Sequence, residues 1–367
     1  MRHLVLCVGI LFVSVCLLTL RADDPVPPVA APRPHTFTLE ARVRLREALT
    51  ALEMQTGVHV EDETTSGDRQ ISLDCKSLTF WQAIDAIASS SDTAAYLYPR
   101  NGRITLVERP RGHLTPQVSY DGFFRCAVKK IVASRDLETG HHSCTVSLEV
   151  AWEPQLQPLF LETRPAELKL ADDQMRPIPV QPDGSSVASV DGRMSLVTDV
   201  QLPGLPRSAV KIGSLRGQFH VIAPTKMLLF RFPALDELAK AAADSPARNP
   251  EIEKVRCRIA KVDLLRDRWT VRVALDYPPG NKELESYQSW VVNNEMVLVS
   301  EDGKRRLPAS DYVLESATTT RAVLSYHFRD RDRQPRGKPE DWRLTYRAPA
   351  AIIEWPVRFS FKDIPLP

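Results

Sequence analysis

The strongest constraint in this sequence is that its last two-thirds carries one strand-rich pattern twice. FFRCAVKKIVASRDLETGHHSCTVSLEVAW parallels KVRCRIAKVDLLRDRWTVRVALDY, with Cys126 over Cys257, Val128 over Ile259, and 146–148 in the same returning strand as 271–273. FLETRPAELKLADDQMRPIPV then parallels WVVNNEMVLVSEDGKRRLPAS, each a strand, a polar turn, and a strand ending in a proline bend. The ends agree as well, LRGQFHVIAPTKMLLFRFPAL against WRLTYRAPAAIIEWPVRFSFKDIPL. Val271, Val273 and Leu275 alternate with Arg272 and Ala274, the period of a half-buried strand. Regular strands with Pro-rich turns favour antiparallel sandwiches, so 117–234 and 251–367 are expected to be two β-sandwich domains related by tandem duplication. Between them, 235–250 reads as a short helix at 236–242 and a linker over 240–250.

A different texture precedes the repeats. Residues 36–40 alternate as a strand, and Leu45, Ala48, Leu49 and Leu52 then line one helical face that Gly57 stops. Short strands follow at 58–60 and 71–73. Thr79 and Gln82 form a capping box for a second helix with Phe80, Ala83, Ile84 and Ile87 on its apolar face. Residues 94–98 and 104–107 close a hairpin around Asn101-Gly102. The two helices match at an offset of 35 residues, so 35–110 is expected to be an α+β domain, a split β-α-β pair with two helices on a small sheet.

The order VRLREALTALEMQTGVHV, ISLDCKSLTFWQAIDAIASSSDTAAYLY and GRITLVE resembles the short N-terminal domain of secretins and TonB-dependent receptors. The leucine helix with its TG-V step lies at 45–58, and the L-x-(L/F)-x-x-A-(L/I) order at 78–84. The resemblance covers 35–109 and implies a periplasmic interaction module that docks through its sheet edges and does no chemistry. Too few residues follow for a plug and barrel, and the long alternating membrane strands of a pore are missing, so neither of those functions is implied.

Residues 1–22, MRHLVLCVGILFVSVCLLTLRA, have the order of a secretory signal peptide with cleavage after Ala22. The alternative is an uncleaved inner-membrane anchor at 4–20, and either exports the rest, with no other membrane insertion expected. Residues 23–34 hold five prolines and form an extended spacer. Without 1–22 the chain has 46 basic and 46 acidic residues, too balanced to hold nucleic acid or an anionic membrane. Cys75, Cys126, Cys144 and Cys257 are too few for a disulfide scaffold. A turn near 137–140 sets Cys126 opposite Ala151 and Cys144 opposite Ala133, too offset to bridge, so buried free thiols are expected.

Candidates for chemistry are few. His142 and Cys144 of the HHSC run share a strand face that His141 does not, but no second ligand cluster accompanies them. Gly184-Ser185-Ser186 is turn composition rather than a nucleophile elbow, and Asp172-Asp173 and Glu301-Asp302-Gly303 occupy strand-joining turns. The charge run at 329–338 reads as a solvated loop. No catalytic, cofactor-binding or metal-ligating residue is nominated, and no cofactor is expected. The expected function is a non-enzymatic, exported cell-envelope docking module with an envelope protein as partner. The alternative is a polysaccharide- or peptidoglycan-binding module using Trp152, Tyr287, Trp290, Trp342 and Trp355. An uncovered sheet edge within 35–109 favours the first, and an outward row of Trp and Tyr the second.

Overall fold

The computed structural model describes residues 33–367, apart from 66–67, 99–102, 111, 113–115, 141, 182–183, 185, 191, 207, 225, 280–293, 319, 330–336 and 351. The expected signal segment, and all but two residues of the proline spacer, lie outside the described residues. So does the Asn101-Gly102 turn.

The N-terminal domain runs β1 (Thr36–Arg44), α1 (Leu45–Thr56), β2 (Val60–Asp62), β3 (Gln70–Thr79), α2 (Phe80–Ser90), β4 (Thr93–Tyr98) and β5 (Arg103–Glu108). Leu45, Ala48, Leu49 and Leu52 are the buried face of α1, and Gly57 ends it at φ 69°, a left-handed backbone that glycine takes without a Cβ penalty. At α2 the Thr79 backbone N–H donates to Gln82 Oε1 at 2.9 Å. The strands divide over two small sheets rather than one. β1 pairs antiparallel with β3, while β5 pairs parallel with β2 and antiparallel with β4. Both helices contribute to one core with Phe37, Ile71, Ile104 and Leu106 from the two sheets.

The first sandwich has one sheet in the order β13-β8-β7-β6: β6 (Val118–Asp121), β7 (Phe124–Arg135), β8 (His142–Trp152) and β13 (Ser195–Pro203). The facing sheet contains β9 (Phe160–Glu162), β10 (Ala166–Ala171), β11 (Pro177–Ile178), β12 (Val187–Ser189) and the long β14 (Lys211–Pro224). After β15 (Met227–Ala234) and α3 (Leu235–Lys240), the second sandwich has a sheet of β16 (Glu251–Ile252), β17 (Val255–Leu264), β18 (Arg268–Asp276), β21 (Asp311–Ala317) and β22 (Arg321–Arg329). Its facing sheet holds β19 (Glu295–Ser300), β20 (Arg306–Pro308) and β23 (Trp342–Pro349), and the chain ends with β24 (Ile352–Pro365).

The repeat extends to irregularities of backbone. The β7–β8 ladder slips between Val128 and Lys130, two residues beyond Cys126. The β17–β18 ladder slips between Ile259 and Lys261, two beyond Cys257. A bulge is a specified feature, and its recurrence at matched positions is what a duplication leaves behind.

The last strand of each repeat, however, belongs to the other sandwich. β24 pairs with β14 from Lys211↔Pro365 to Pro224↔Ile352, and its Val357, Phe359, Phe361 and Ile364 lie in the first core. Reciprocally, β15 pairs with β23, and Leu228, Phe230 and Phe232 lie in the second core with Leu235 and Leu238 of α3. Each expected span, 117–234 and 251–367, thus lends its last long strand to the sheet of the other. The cause is local. Ala223-Pro224-Thr225-Lys226 and Ala348-Pro349-Ala350-Ala351 contain no Gly, Asn or Asp, which the tight two-residue hairpin turns need for positive φ. Proline also fixes its own φ near −65° and adds no N–H to a ladder. A tight hairpin that would return the strand to its own sheet is therefore disfavoured at both places. The 240–250 segment is ordered against this arrangement: Arg248 is buried and its Nε donates to Leu238 O at 2.8 Å, while Asn249 Nδ2 donates to Ala243 O and Ser245 O.

Candidate docking surface

The face of α2 is already spent within the chain. Trp81 Nε1 donates to Phe123 O at 3.1 Å, carrying α2 onto the loop between β6 and β7. Arg125 of β7 grips Asp85 with Nε at 2.7 Å and Nη2 at 3.1 Å, and the Tyr120 hydroxyl donates to the same carboxylate at 2.5 Å. Glu149 of β8 stands 3.6 Å from Arg125 Nη1 and 3.5 Å from Lys129 Nζ, so two cations face two carboxylates. Burial, with the Asp85 charge beside it, pushes the Tyr120 phenol well above its usual range, so it stays a donor. Ala151 and Met194 of the first sandwich join the N-terminal core beneath this contact. A partner of residues 35–109 must use another face.

Sheet edges are what remains. Among the described residues β4 pairs only with β5, so its outer edge has no strand partner, and Tyr96 on it is 49% exposed. A second open edge, one that sequence reasoning missed, is β21, which among the described residues pairs only with β22. Tyr312, Val313 and Leu314 are consecutive on it and 41%, 52% and 40% exposed, so both faces of the strand present apolar surface. Its two acids are already matched: Arg329 lies 3.2 Å from Asp311, and Glu315 accepts from Arg272 Nε at 2.8 Å and Ser325 Oγ at 2.6 Å. These two donors, the serine first, hold the Glu315 carboxyl below its usual range. A ladder slip between Leu314 and Ser316 limits the regular edge to 311–314. The edge strand β13 differs, because it buries Val200 and Leu202 and turns Asp199 and Gln201 to hydrogen bonds with Ser147 and Thr145.

The aromatic residues mostly point inward. Trp152 and Trp342 are buried, as are Trp81 and Trp269, and Trp355 packs edge-on against Phe123 at 5.4 Å between ring centres. Tyr287 and Trp290 lie outside the described residues. Cys75, Cys126, Cys144 and Cys257 are free and buried, with Cys126 opposite Val150 and Cys144 opposite Ala133. Burial pushes the Cys126 thiol up to about 12, the pKa of an inert core sulfur. Cys144 is likewise a core sulfur, His142 sits opposite Arg135 at the hairpin end, and His141 lies outside the described residues. Asp172 and Asp302 organise the β10–β11 and β19–β20 turns, Asp172 accepting the Gln174 and Arg176 N–H groups and Asp302 that of Lys304. Gly184 and Ser186 are described and Ser185 is not; the Ser186 carbonyl accepts from Thr163 N–H. Of the 329–338 run, 330–336 lie outside the described residues.

These features define a class: a duplicated β-sandwich protein whose repeats interlock by strand exchange, with an α+β domain docked on the first sandwich. No family model matches the chain. No curated protein matches it either. Among solved structures it is similar to a chain of the Salmonella SPI-1 type III secretion injectisome basal body proteins InvG, PrgH and PrgK, at 6% identity. That alignment covers 87% of this chain and 91% of that chain with a TM-score of 0.17, too low to carry fold or function across. Among the described residues, no helix is long and apolar enough to cross a membrane.

Proposed function

We propose that this chain is a non-enzymatic, exported docking module of a cell envelope, which takes an extended segment of a partner protein as an added strand. The observation that supports this reading is the β21 edge, where unpaired backbone runs beside Tyr312, Val313 and Leu314 and the flanking acids are neutralised by the chain's own arginines. Backbone hydrogen bonds to such an edge supply affinity, and the alternating side chains supply selection. The open β4 edge offers a second position of the same kind, in the region that resembles secretin and receptor N-terminal domains. The inward Trp152 and Trp342 weigh against a glycan-stacking platform.

The test is a pull-down from envelope extracts with the full chain, beside Val313→Lys and a form lacking 35–109. A protein captured by the full chain and lost with V313K supports strand addition at β21. Loss only with the deletion moves the docking edge to β4. Capture of glycan, or of nothing, overturns the docking reading.

A further inference from the structure

Outside the docking edges, one group of side chains converges without a role in the fold's core. His220 of β14 is flanked by Glu162 of β9 on one side and Glu354 of the exchanged strand β24 on the other. The strand registers require this. Glu162 lies one step beyond the Val221↔Leu161 pair, and Glu354 stands opposite Ile222, which shares a sheet face with His220. His220 Nδ1 is 2.8 Å from Glu162 Oε2 and 3.4 Å from Glu354 Oε1. Among the described residues this is the one place where three His, Cys, Asp or Glu donor atoms all lie within 4.8 Å of one another.

A ring nitrogen carries at most one proton, so Nδ1–H can serve Glu162 or Glu354 but not both well. A cation can serve both. Zinc makes bonds of about 2.0–2.2 Å to imidazole and carboxylate, which sets the donors of a tetrahedron about 3.3–3.5 Å apart. The Glu354 spacing already has that value, and Glu162 needs to withdraw by about 0.5 Å to reach it. The other ring nitrogen, Nε2, stands 2.7 Å from the side-chain amide of Gln218, which, turned to present its oxygen, accepts the Nε2–H of a ligating imidazole, the kind of outer contact that orients a metal ligand. An imidazole among the donors selects against magnesium and calcium and for the later first-row divalent ions.

We infer that Glu162, His220 and Glu354 form a binding site for a divalent cation of the zinc class, with the remaining coordination positions open to water. The site joins three strands, one of which comes from the other repeat. Its occupancy therefore fastens β24 to β14 and β9 and reinforces the interlock.

The full chain, stripped with a chelator, is titrated with ZnCl2 by calorimetry and with CoCl2 by visible absorption. The expected result is one saturating equivalent, intense cobalt bands of low coordination number, and a higher melting temperature with the ion. Glu354→Gln, at a half-exposed position that should leave folding intact, weakens uptake at least about 10-fold, and Gln218→Ala about 10–100-fold. His59→Gln, at the exposed His59–Glu53 pair, leaves uptake unchanged. No saturating uptake by the full chain, undiminished uptake by E354Q, or loss of uptake in H59Q would overturn the site.

Discussion

Glu153 sits just past the end of β8 with 0% exposure, and it holds the chain where the N-terminal domain begins. Its Oε2 accepts from the His35 backbone N–H at 3.2 Å and from Gln155 Nε2 at 2.6 Å, and lies 3.0 Å from His35 Nδ1. Oε1 has no partner. Burial outweighs the hydrogen bonds, so the carboxyl titrates above its ordinary value of 4.5. A carboxyl raised on folding stabilises the fold while protonated, and that contribution fades as pH rises from 4.5 through the raised value. Across that window the native protein is expected to lose up to about 1.4 kcal/mol per pH unit, a slope that Glu153→Gln removes. Melting curves of both proteins against pH measure it, and parallel curves would refute the assignment. Such residues were illegible in sequence because Glu153 and His35 are 118 positions apart and neither lies in a motif. The same holds for Glu162, His220 and Glu354, whereas the more conspicuous HHSC run offers a core sulfur and a hairpin-end imidazole.

At the scale of elements, periodicity identified both N-terminal helices down to the Gly57 stop and the Thr79–Gln82 cap, because local spacing alone decides which face is apolar. The hairpin register was legible to within one residue. Cys144 lies opposite Ala133, as the turn position implies, while Cys126 meets Val150 instead of Ala151 because the bulge at 129 takes up one residue. Strand partners were not legible, since alternation names the buried face of a strand and not the neighbour that covers it. The exchange makes a directional prediction. Removing 352–367 strips Val357, Phe359, Phe361 and Ile364 from the first core, each worth about 1.5–3 kcal/mol, against a net stability of about 5–15 kcal/mol for a domain. Amide exchange is therefore expected to show lost protection in β7, β8 and β14 and retained protection in β17, β18 and β22. The opposite pattern would mean that β24 supports its own repeat.

For the whole molecule, strand exchange and not the 240–250 linker alone joins the two sandwiches. Two long antiparallel ladders, β14–β24 and β15–β23, now join the repeats, and the Asp85–Arg125 clamp joins the N-terminal domain to the first of them. A protease site inserted between Ala243 and Asp244 and then cut is expected to leave both fragments co-eluting on size exclusion until denaturant is added. Fragments that separate in native buffer would contradict the exchange.

By itself the sequence determined the kinds of element, their buried faces, the repeat and the fate of the cysteines, because these follow from spacing within a few turns or one hairpin. Tertiary structure alone decided which sheet each repeat's last strand enters, which helix face docks, which edges stay open, and where two glutamates meet a histidine. These outcomes depend on residues far apart in the chain, whose encounter is set by competing burials of equal hydrophobic pattern rather than by any local preference.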